Sequence, residues 1–326
     1  MDLLPKIFFN QMGRLRSGWR LVVFVVVFNL VLFLITGGAR IIYAISINAV
    51  PELSPHANVA DLVFRVIFLI ASLGAGYLCV KLLEGLPWRS LGLTLHSHWL
   101  RDLIVGSVIG ILSLAFATAI AFIGGGLHFA RSPAAISAII LTLLVSALLF
   151  IIAALSEEAL FRGYPLQTLT RAQLTWLGVL LTSVPFAAIH LKNPNAGSWI
   201  AFINTALAGV WLAVAYLRTR SLWFPLGVHW AWNWALGSVF GLPVSGITKI
   251  APNPMLVGTD LGPAWFTGGT YGIEGGVACT IVLLISTVFI WKTSLVSATD
   301  DLKRLTSEEK PTTPRLETNI PVESGP

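Results

Sequence analysis

The chain has few charged residues: only 11% of its 326 residues are Asp, Glu, Lys or Arg, whereas 56% are hydrophobic. Mean hydropathy is correspondingly high, at +0.81. A soluble chain carries about one-quarter charged residues. The composition therefore excludes a soluble multidomain protein and predicts an all-α, polytopic membrane protein with an intramembrane polar cavity.

Cysteine is almost absent as well. The two cysteines, Cys79 and Cys279, both lie inside apolar runs, which excludes a disulfide framework and provides no thiolate cluster for a metal. The net charge of +6 does not indicate nucleic-acid binding, because basic cytoplasmic loops beside anionic lipid account for it. No internal repeat is found, which argues against a transporter built from inverted repeats.

Long apolar runs are abundant, and a spanning helix needs about 20 such residues. The sequence predicts eight spans: Trp19–Thr36, Val59–Leu83, Leu103–Ile123, Ala134–Leu155 running on toward Leu169, Leu174–His190, Trp199–Leu217, Leu222–Phe240 and Gly276–Trp291. Residues 41–50 are too short to span and are expected to extend the first helix or to lie at the interface. The first run is interpreted as a retained anchor, because no cleavage site follows it.

Four segments are predicted. Residues 1–133 form the N-terminal anchor helices, 134–240 the catalytic core, 241–296 an external loop and the last span, and 297–326 a disordered cytoplasmic tail. With the N-terminus inside, sixteen of the 21 Lys and Arg residues are cytoplasmic, four are external, and Arg65 falls within a span. This bias places both termini in the cytoplasm of a multi-pass protein, which we expect in a bacterial plasma membrane.

Polar residues interrupt three of the apolar runs, although an ionised group near the bilayer centre costs about 2.5–3.5 kcal/mol. They are Glu157, Glu158 and Arg162 in SEEALFR, Phe186 and His190 in PFAAIH, and His229 and Asn233 in HWAWN. Taken singly, each group could be a helix-end salt bridge or an interhelical hydrogen bond. Three groups on three helices at similar depth favour a functional site.

Helical spacing orders these side chains. Glu158 and Arg162 are four residues apart, so they share a face and can pair. Glu157 lies about 100° around the helix from Glu158 and is expected to point toward a cavity. The same four-residue spacing places Phe186 beside His190.

The chemistry of this set points to hydrolysis of an amide. A carboxylate and a neutral imidazole can activate one water as general bases, while a second imidazole and an amide can donate to an oxyanion. Alternatively, Glu157, His190 and His229 could bind Zn²⁺ with water in the open position. The expected cofactor is therefore none or zinc, and no HExxH helix is present.

Other histidines receive no role. His96 and His98, in LTLHSHWLRD, are interpreted as solvated residues of an interfacial loop. His56 and His128 lie in predicted external loops.

The three motifs, in this order, resemble the CPBP family, which contains the CAAX prenyl endopeptidases and the bacterial Abi-type membrane proteins. Its pattern is EExxxR, then FxxxH, then HxxxN, and the resemblance covers roughly residues 135–240. It implies an intramembrane endopeptidase in which Glu157 activates a water with help from His190. His229 and Asn233 then stabilise the oxyanion, and Glu158 with Arg162 organises the site.

The resemblance also implies a substrate class. It is a membrane-anchored or lipidated, CAAX-like peptide, which we expect to approach from the cytoplasmic leaflet. The alternative is a non-enzymatic membrane immunity or scaffold protein related to bacteriocin self-protection. The motifs are silent on the oligomeric state.

Overall fold

Helices make up most of the computed structural model, which describes residues 7–10, 13–49 and 57–307. The main helices are α1 (Ser17–Ala49), α2 (Ala57–Cys79), α3 (Trp99–Ile123), α4 (Ile136–Glu158), α5 (Tyr164–Arg171), α6 (Thr175–His190), α7 (Trp199–Thr219) and α8 (Trp223–Trp234). The short α9 (Ala264–Thr267), then α10 (Val277–Lys292) and α11 (Asp300–Thr306), complete the set. Strands β1 (Leu127–Arg131) and β2 (Leu256–Asp260) pair in a two-stranded antiparallel sheet, and π-helical turns occupy Val80–Glu84, Ala159–Gly163 and Ala235–Val239.

The apolar runs form helices of membrane-spanning length. In the part of the chain that the structure describes, five helical segments are long and apolar enough to cross a membrane, and α6 and α10 are shorter apolar helices. Each of the eight predicted runs lies in such a helix or in α8 with its π-helical turn. The protein is thus an all-α polytopic membrane protein, and residues 41–49 extend its first helix.

Helices α3 and α8 pack closely against each other because glycines lie at their contact. A Cβ added at Gly106 would lie 2.4 Å from the Phe224 carbonyl oxygen, and one at Gly227 would lie 2.3 Å from the Leu103 carbonyl oxygen. Small residues allow helix backbones to meet closely in membranes, where packing replaces the hydrophobic effect as the main attraction. This contact fixes the position of α8, which carries the HWAWN motif.

A buried ionic cluster joins α1, the end of α2 and α5. Arg171 Nε donates to Glu84 Oε2 at 2.6 Å, Arg20 Nη1 lies 3.6 Å from the same oxygen, and Arg171 Nη1 donates to Gln167 Oε1 at 3.3 Å. All three helix ends were predicted to be cytoplasmic, and the structure brings them to one end of the bundle. The assignment of that end to the cytoplasm stays a prediction.

The opposite end carries β1, β2 and the Gly241–Gly275 loop, which has defined structure. Gly268 and Gly272 adopt φ values of 92° and 93°, a region that L side chains rarely occupy. A Cβ at Gly268 would lie only 1.8 Å from the Gly272 carbonyl oxygen. Glycine therefore makes this loop compact.

Two predictions need correction. Within the predicted disordered tail, residues 300–306 form α11, because Thr299 caps the helix by accepting from the Leu302 N–H and Leu302 is buried. Residues 308–326 lie outside the described part of the chain. His96 is not solvated: its side chain is 7% exposed and its Nε2 lies 3.1 Å from Ser221 Oγ. Burial, and then the nearby His98, lower the pKa of His96.

Candidate active site

Glu158 and Arg162 form a fully buried ion pair, as their spacing predicted. Arg162 Nη1 lies 3.1 Å from Glu158 Oε1, and both side chains are 0% exposed. A second guanidinium nitrogen donates to the Gly209 carbonyl on α7 at 2.9 Å, and the guanidinium carbon lies 4.8 Å from the centre of the Phe186 ring. Arg162 thus connects α4 with α6 and α7.

His229 lies between the two glutamates. Its Nδ1 is 2.8 Å from Glu158 Oε1, and its Nε2 is 3.7 Å from Glu157 Oε2. Because an ionised carboxylate only accepts hydrogen bonds, Nδ1 is the protonated nitrogen, and its N–H donates a hydrogen bond to Glu158. Glu158 therefore orients the imidazole, and Nε2 is the atom that faces Glu157.

Glu157 has different surroundings from its neighbour. Its side chain is 21% exposed, whereas that of Glu158 is fully buried. Its Oε2 accepts no hydrogen bond from the described residues. Glu157 lines a cavity of about 160 Å³, here called the Glu157 chamber, together with Arg65, His190, Asn193, Asn233 and Ser245. The prediction that this carboxylate faces a cavity is confirmed by the geometry.

His190 ends α6 with one ring nitrogen already engaged. Its Nδ1 lies 2.7 Å from the Phe186 carbonyl oxygen, which can only accept, so Nδ1 is the donor. In the neutral ring, Nε2 then carries the lone pair and is available as a base. Phe186 also supports the ring, since their centres lie 4.7 Å apart.

A second, smaller cavity of about 40 Å³ adjoins the first. This Glu274 chamber is lined by Asn204, Thr205, His229, Trp232, Glu274 and Cys279, among others. His190, Asn233 and Ser245 line both chambers. The polar groups predicted on three separate runs are thus brought to one place, with Glu157 on one side of the shared wall and His229 on the other.

The zinc alternative finds little geometric support. Among the residues that the structure describes, no group of three or more His, Cys, Asp or Glu side chains could hold a metal ion. His229 Nδ1 and His190 Nδ1 are hydrogen-bonded, which leaves Nε2 of each ring as the nitrogen that could bind a metal. The predicted trio of Glu157, His190 and His229 is not gathered into such a group here, and the zinc alternative stays a prediction.

Several cavity residues were missed from the sequence, among them Arg65, Ser245 and Glu274. Arg65 was noted only as a charge within a span, although an intramembrane charge is itself a signal of function. Ser245 and Glu274 lie in the loop that was treated as external, and Glu274 is the only acidic residue between Asp260 and Asp300. Burial, and then the charge of Glu274, raise the pKa of nearby Tyr271.

The fold and the site together define a class: a polytopic membrane protein with paired glutamates and histidines in an internal polar cavity. Residues 139–235 match the model of the Rce1-like family, described as type II CAAX prenyl endopeptidase Rce1-like. The match confirms the resemblance over the segment that carries all three motifs.

A protein from Escherichia coli is also similar to part of the chain. It is called an uncharacterized 24.3 kDa protein and is 36% identical over 105 residues. The aligned part covers 32% of this chain and 45% of the relative, so the chain spans less than half of that protein's length.

The chambers lie toward the end of the bundle opposite the Glu84 cluster. Their walls include Asn193, Ser245 and Ile250, which all belong to connections at the β1–β2 end. The charge bias predicts that this end is external, and this orientation stays a prediction. The side from which a substrate approaches therefore stays a prediction as well.

Proposed function

We propose that the protein is an intramembrane endopeptidase that hydrolyses a peptide bond of a membrane-anchored or lipidated substrate. The observation that carries this proposal is the meeting of Glu157, His190, His229 and Asn233, from three helices, around two adjoining chambers. The family match over residues 139–235 supports the same reaction class.

Glu157 and His190 act as the bases. Glu157 Oε2 accepts no hydrogen bond from the described residues, and His190 Nε2 carries a lone pair, so a water between them can be bound and deprotonated. The water gives one proton to Glu157, and the resulting hydroxide attacks the carbonyl carbon of the substrate. When the tetrahedral intermediate collapses, the C–N bond breaks and Glu157 returns the proton to the leaving nitrogen.

His229 and Asn233 stabilise the oxyanion. The Asn233 amide can donate directly, and His229 donates from Nε2 when its ring is protonated at both nitrogens. Glu158 accepts from Nδ1 at 2.8 Å and balances the charge of that imidazolium. Arg162 in turn holds Glu158, so this pair organises the site.

No step in this mechanism requires a metal. We expect cleavage to survive chelation, because Glu157 and His190 Nε2 can activate a water without a Lewis acid, and the described residues gather no group of three ligand side chains for a metal. Purified protein treated with a chelator, then assayed for zinc and for cleavage in parallel, tests this. Loss of cleavage that zinc alone restores would contradict it.

The reaction itself is tested by reconstituting the protein in liposomes with lipidated and transmembrane peptides. Mass spectrometry of the products identifies any cleaved bond. Cleavage by the wild-type protein supports the proposal. If no peptide is cleaved and the protein still protects cells against a bacteriocin with Glu157→Gln in place, the non-enzymatic immunity alternative is correct instead.

A further inference from the structure

Glu274 lies outside the three motifs, yet both its carboxylate oxygens are engaged inside the cavity. Oε1 accepts from Trp232 Nε1 at 3.0 Å. Oε2 accepts from the Ser245 backbone N–H at 2.5 Å and from Ser245 Oγ at 2.9 Å. Trp232 precedes Asn233 on α8, so one carboxylate links the Gly241–Gly275 loop to the helix that carries His229 and Asn233.

Ser245 extends this link to α6. Its carbonyl oxygen accepts from Asn193 Nδ2 at 3.1 Å, and Asn193 follows His190 by three residues. Ser245 has a φ of 46°, a conformation that residues other than glycine seldom adopt. Such a conformation persists when surrounding bonds hold it, and the bonds to Glu274 and Asn193 do so here.

The backbone around Glu274 is itself anchored. Asn204 on α7, which is 1% exposed, donates to the carbonyl oxygens of Glu274 at 2.8 Å and Gly276 at 2.9 Å. Thr280 on α10 donates to Asn204 Oδ1 at 2.6 Å. Glu274 is therefore held by α7 and α10 while it holds α8 and the loop.

We propose that Glu274 is a positioning residue that fixes His229 and Asn233 relative to His190 and keeps the Gly241–Gly275 loop closed over both chambers. This inference rests on the proposed function, because it assigns Glu274 to the same reaction. Hydrogen bonds to an ionised carboxylate are stronger than neutral ones, and three of them converge here from two elements. Within the described part of the chain, Glu274 makes no hydrogen bond to Glu157 or His190, so its effect on them passes through Trp232 and Ser245.

The matched test compares Glu274→Gln with Asp260→Asn. A glutamine keeps the size of the side chain, but its NH₂ faces a donor, so at least one bond is lost. Asp260 lies in the same loop, accepts from the Gly262 N–H at 3.0 Å and lines neither chamber. We expect Glu274→Gln to lower kcat about tenfold and to change KM less than about threefold, since a lost bond to a charged group has about that effect.

The rate at which a reagent labels the Cys279 thiol measures whether the loop is closed, and this measurement does not depend on cleavage of a substrate. Cys279 lines the Glu274 chamber and is 1% exposed, and Cys79 is the only other cysteine in the sequence. In a Cys79→Ser background, a charged maleimide should label Cys279 about fivefold faster after Glu274→Gln, because weaker bonds make local opening easier. Asp260→Asn should leave both the labelling rate and kcat unchanged.

The outcomes separate the possibilities. If Glu274→Gln changes neither kcat nor the labelling rate, the inference is overturned. If it speeds labelling but leaves kcat unchanged, Glu274 holds the loop closed, and its positioning role is overturned. If Glu274→Gln does not fold, Trp232→Phe removes the indole N–H donor while it keeps an aromatic ring, and it must lower kcat in its place. If the wild-type protein cleaves nothing, the proposed function fails, and unchanged labelling then overturns the closed-loop part as well.

Discussion

Two adjacent glutamates have the same chemistry but opposite surroundings. Glu158 is fully buried and is balanced by Arg162 and His229, while Glu157 is 21% exposed and faces a chamber. A buried charge is tolerated when it is paired, and an unpaired one is costly. Glu158 therefore serves to hold the structure, and Glu157 is left available for chemistry.

Arg162→Met is expected to destabilise the protein strongly. It leaves the Glu158 carboxylate without its guanidinium partner at zero exposure, which should lower the free energy of unfolding by about 3–5 kcal/mol. Chemical unfolding in detergent measures this change. The double variant Glu158→Gln/Arg162→Met should recover part of the loss, because the isolated charge is gone. A double variant less stable than Arg162→Met would contradict this explanation.

At this scale the sequence predicted the pairs within a helix better than the contacts between helices. The four-residue spacing was sufficient to pair Glu158 with Arg162 and Phe186 with His190. It could not show that His229 binds Glu158, because that contact joins residues 71 positions apart. The role of Glu274 was invisible for the same reason, since its partners belong to other elements.

Among the helices, the contact between α3 and α8 decides where His229 lies. The glycines at this contact leave no room for a Cβ, because one at Gly227 would come within 2.3 Å of a backbone oxygen. The atoms that such a Cβ would meet belong to the backbone, which cannot move aside as a flexible side chain could.

Gly227→Ala should therefore separate the two helices and move His229. Overpacking of this kind costs about 1–3 kcal/mol, and we expect cleavage to fall along with stability. Gly74→Ala on α2 is the control, since nothing lies within 4 Å of its added Cβ. Thermal unfolding and cleavage rates are measured on both variants. Equal behaviour of the two would show that the glycine contact does not position α8.

The helices were predictable because each apolar run is long enough to form one, and the predicted and observed boundaries agree to within a few residues for most runs. Hydropathy could not resolve the π-helical turns at Ala159–Gly163, which contains the second half of the SEEALFR motif, and at Ala235–Val239, which follows the HWAWN helix. It also could not predict the folded loop at Gly241–Gly275, where glycine conformations and long-range hydrogen bonds replace apolar periodicity.

For the whole molecule, the two ends of the helix bundle differ in role: one stabilises the fold and the other carries the candidate active site. The Glu84 cluster ties helix ends together at one end, whereas the chambers lie toward the other. Stability and activity should therefore be separable by mutations at the first end.

Glu84→Gln tests this separation. It removes the carboxylate that Arg171 contacts at 2.6 Å, and loss of one partner of a buried pair should lower the free energy of unfolding by about 3–5 kcal/mol. The folded fraction should cleave at the wild-type rate. Asp301→Asn is the control, because its pair with Arg89 is about half exposed and should contribute less than about 1 kcal/mol. A drop in kcat of folded Glu84→Gln would show that the two ends are coupled.

The central claim is that Glu157 activates water for hydrolysis. The most direct measurement compares cleavage of one identified peptide by wild-type and Glu157→Gln protein in liposomes, with circular dichroism and thermal unfolding confirming that both are folded. Glu157→Gln should unfold at nearly the wild-type temperature, because its Oε2 accepts no hydrogen bond from the described residues, and should cleave at least about a hundredfold more slowly. A folded Glu157→Gln protein that cleaves at the wild-type rate would contradict the account.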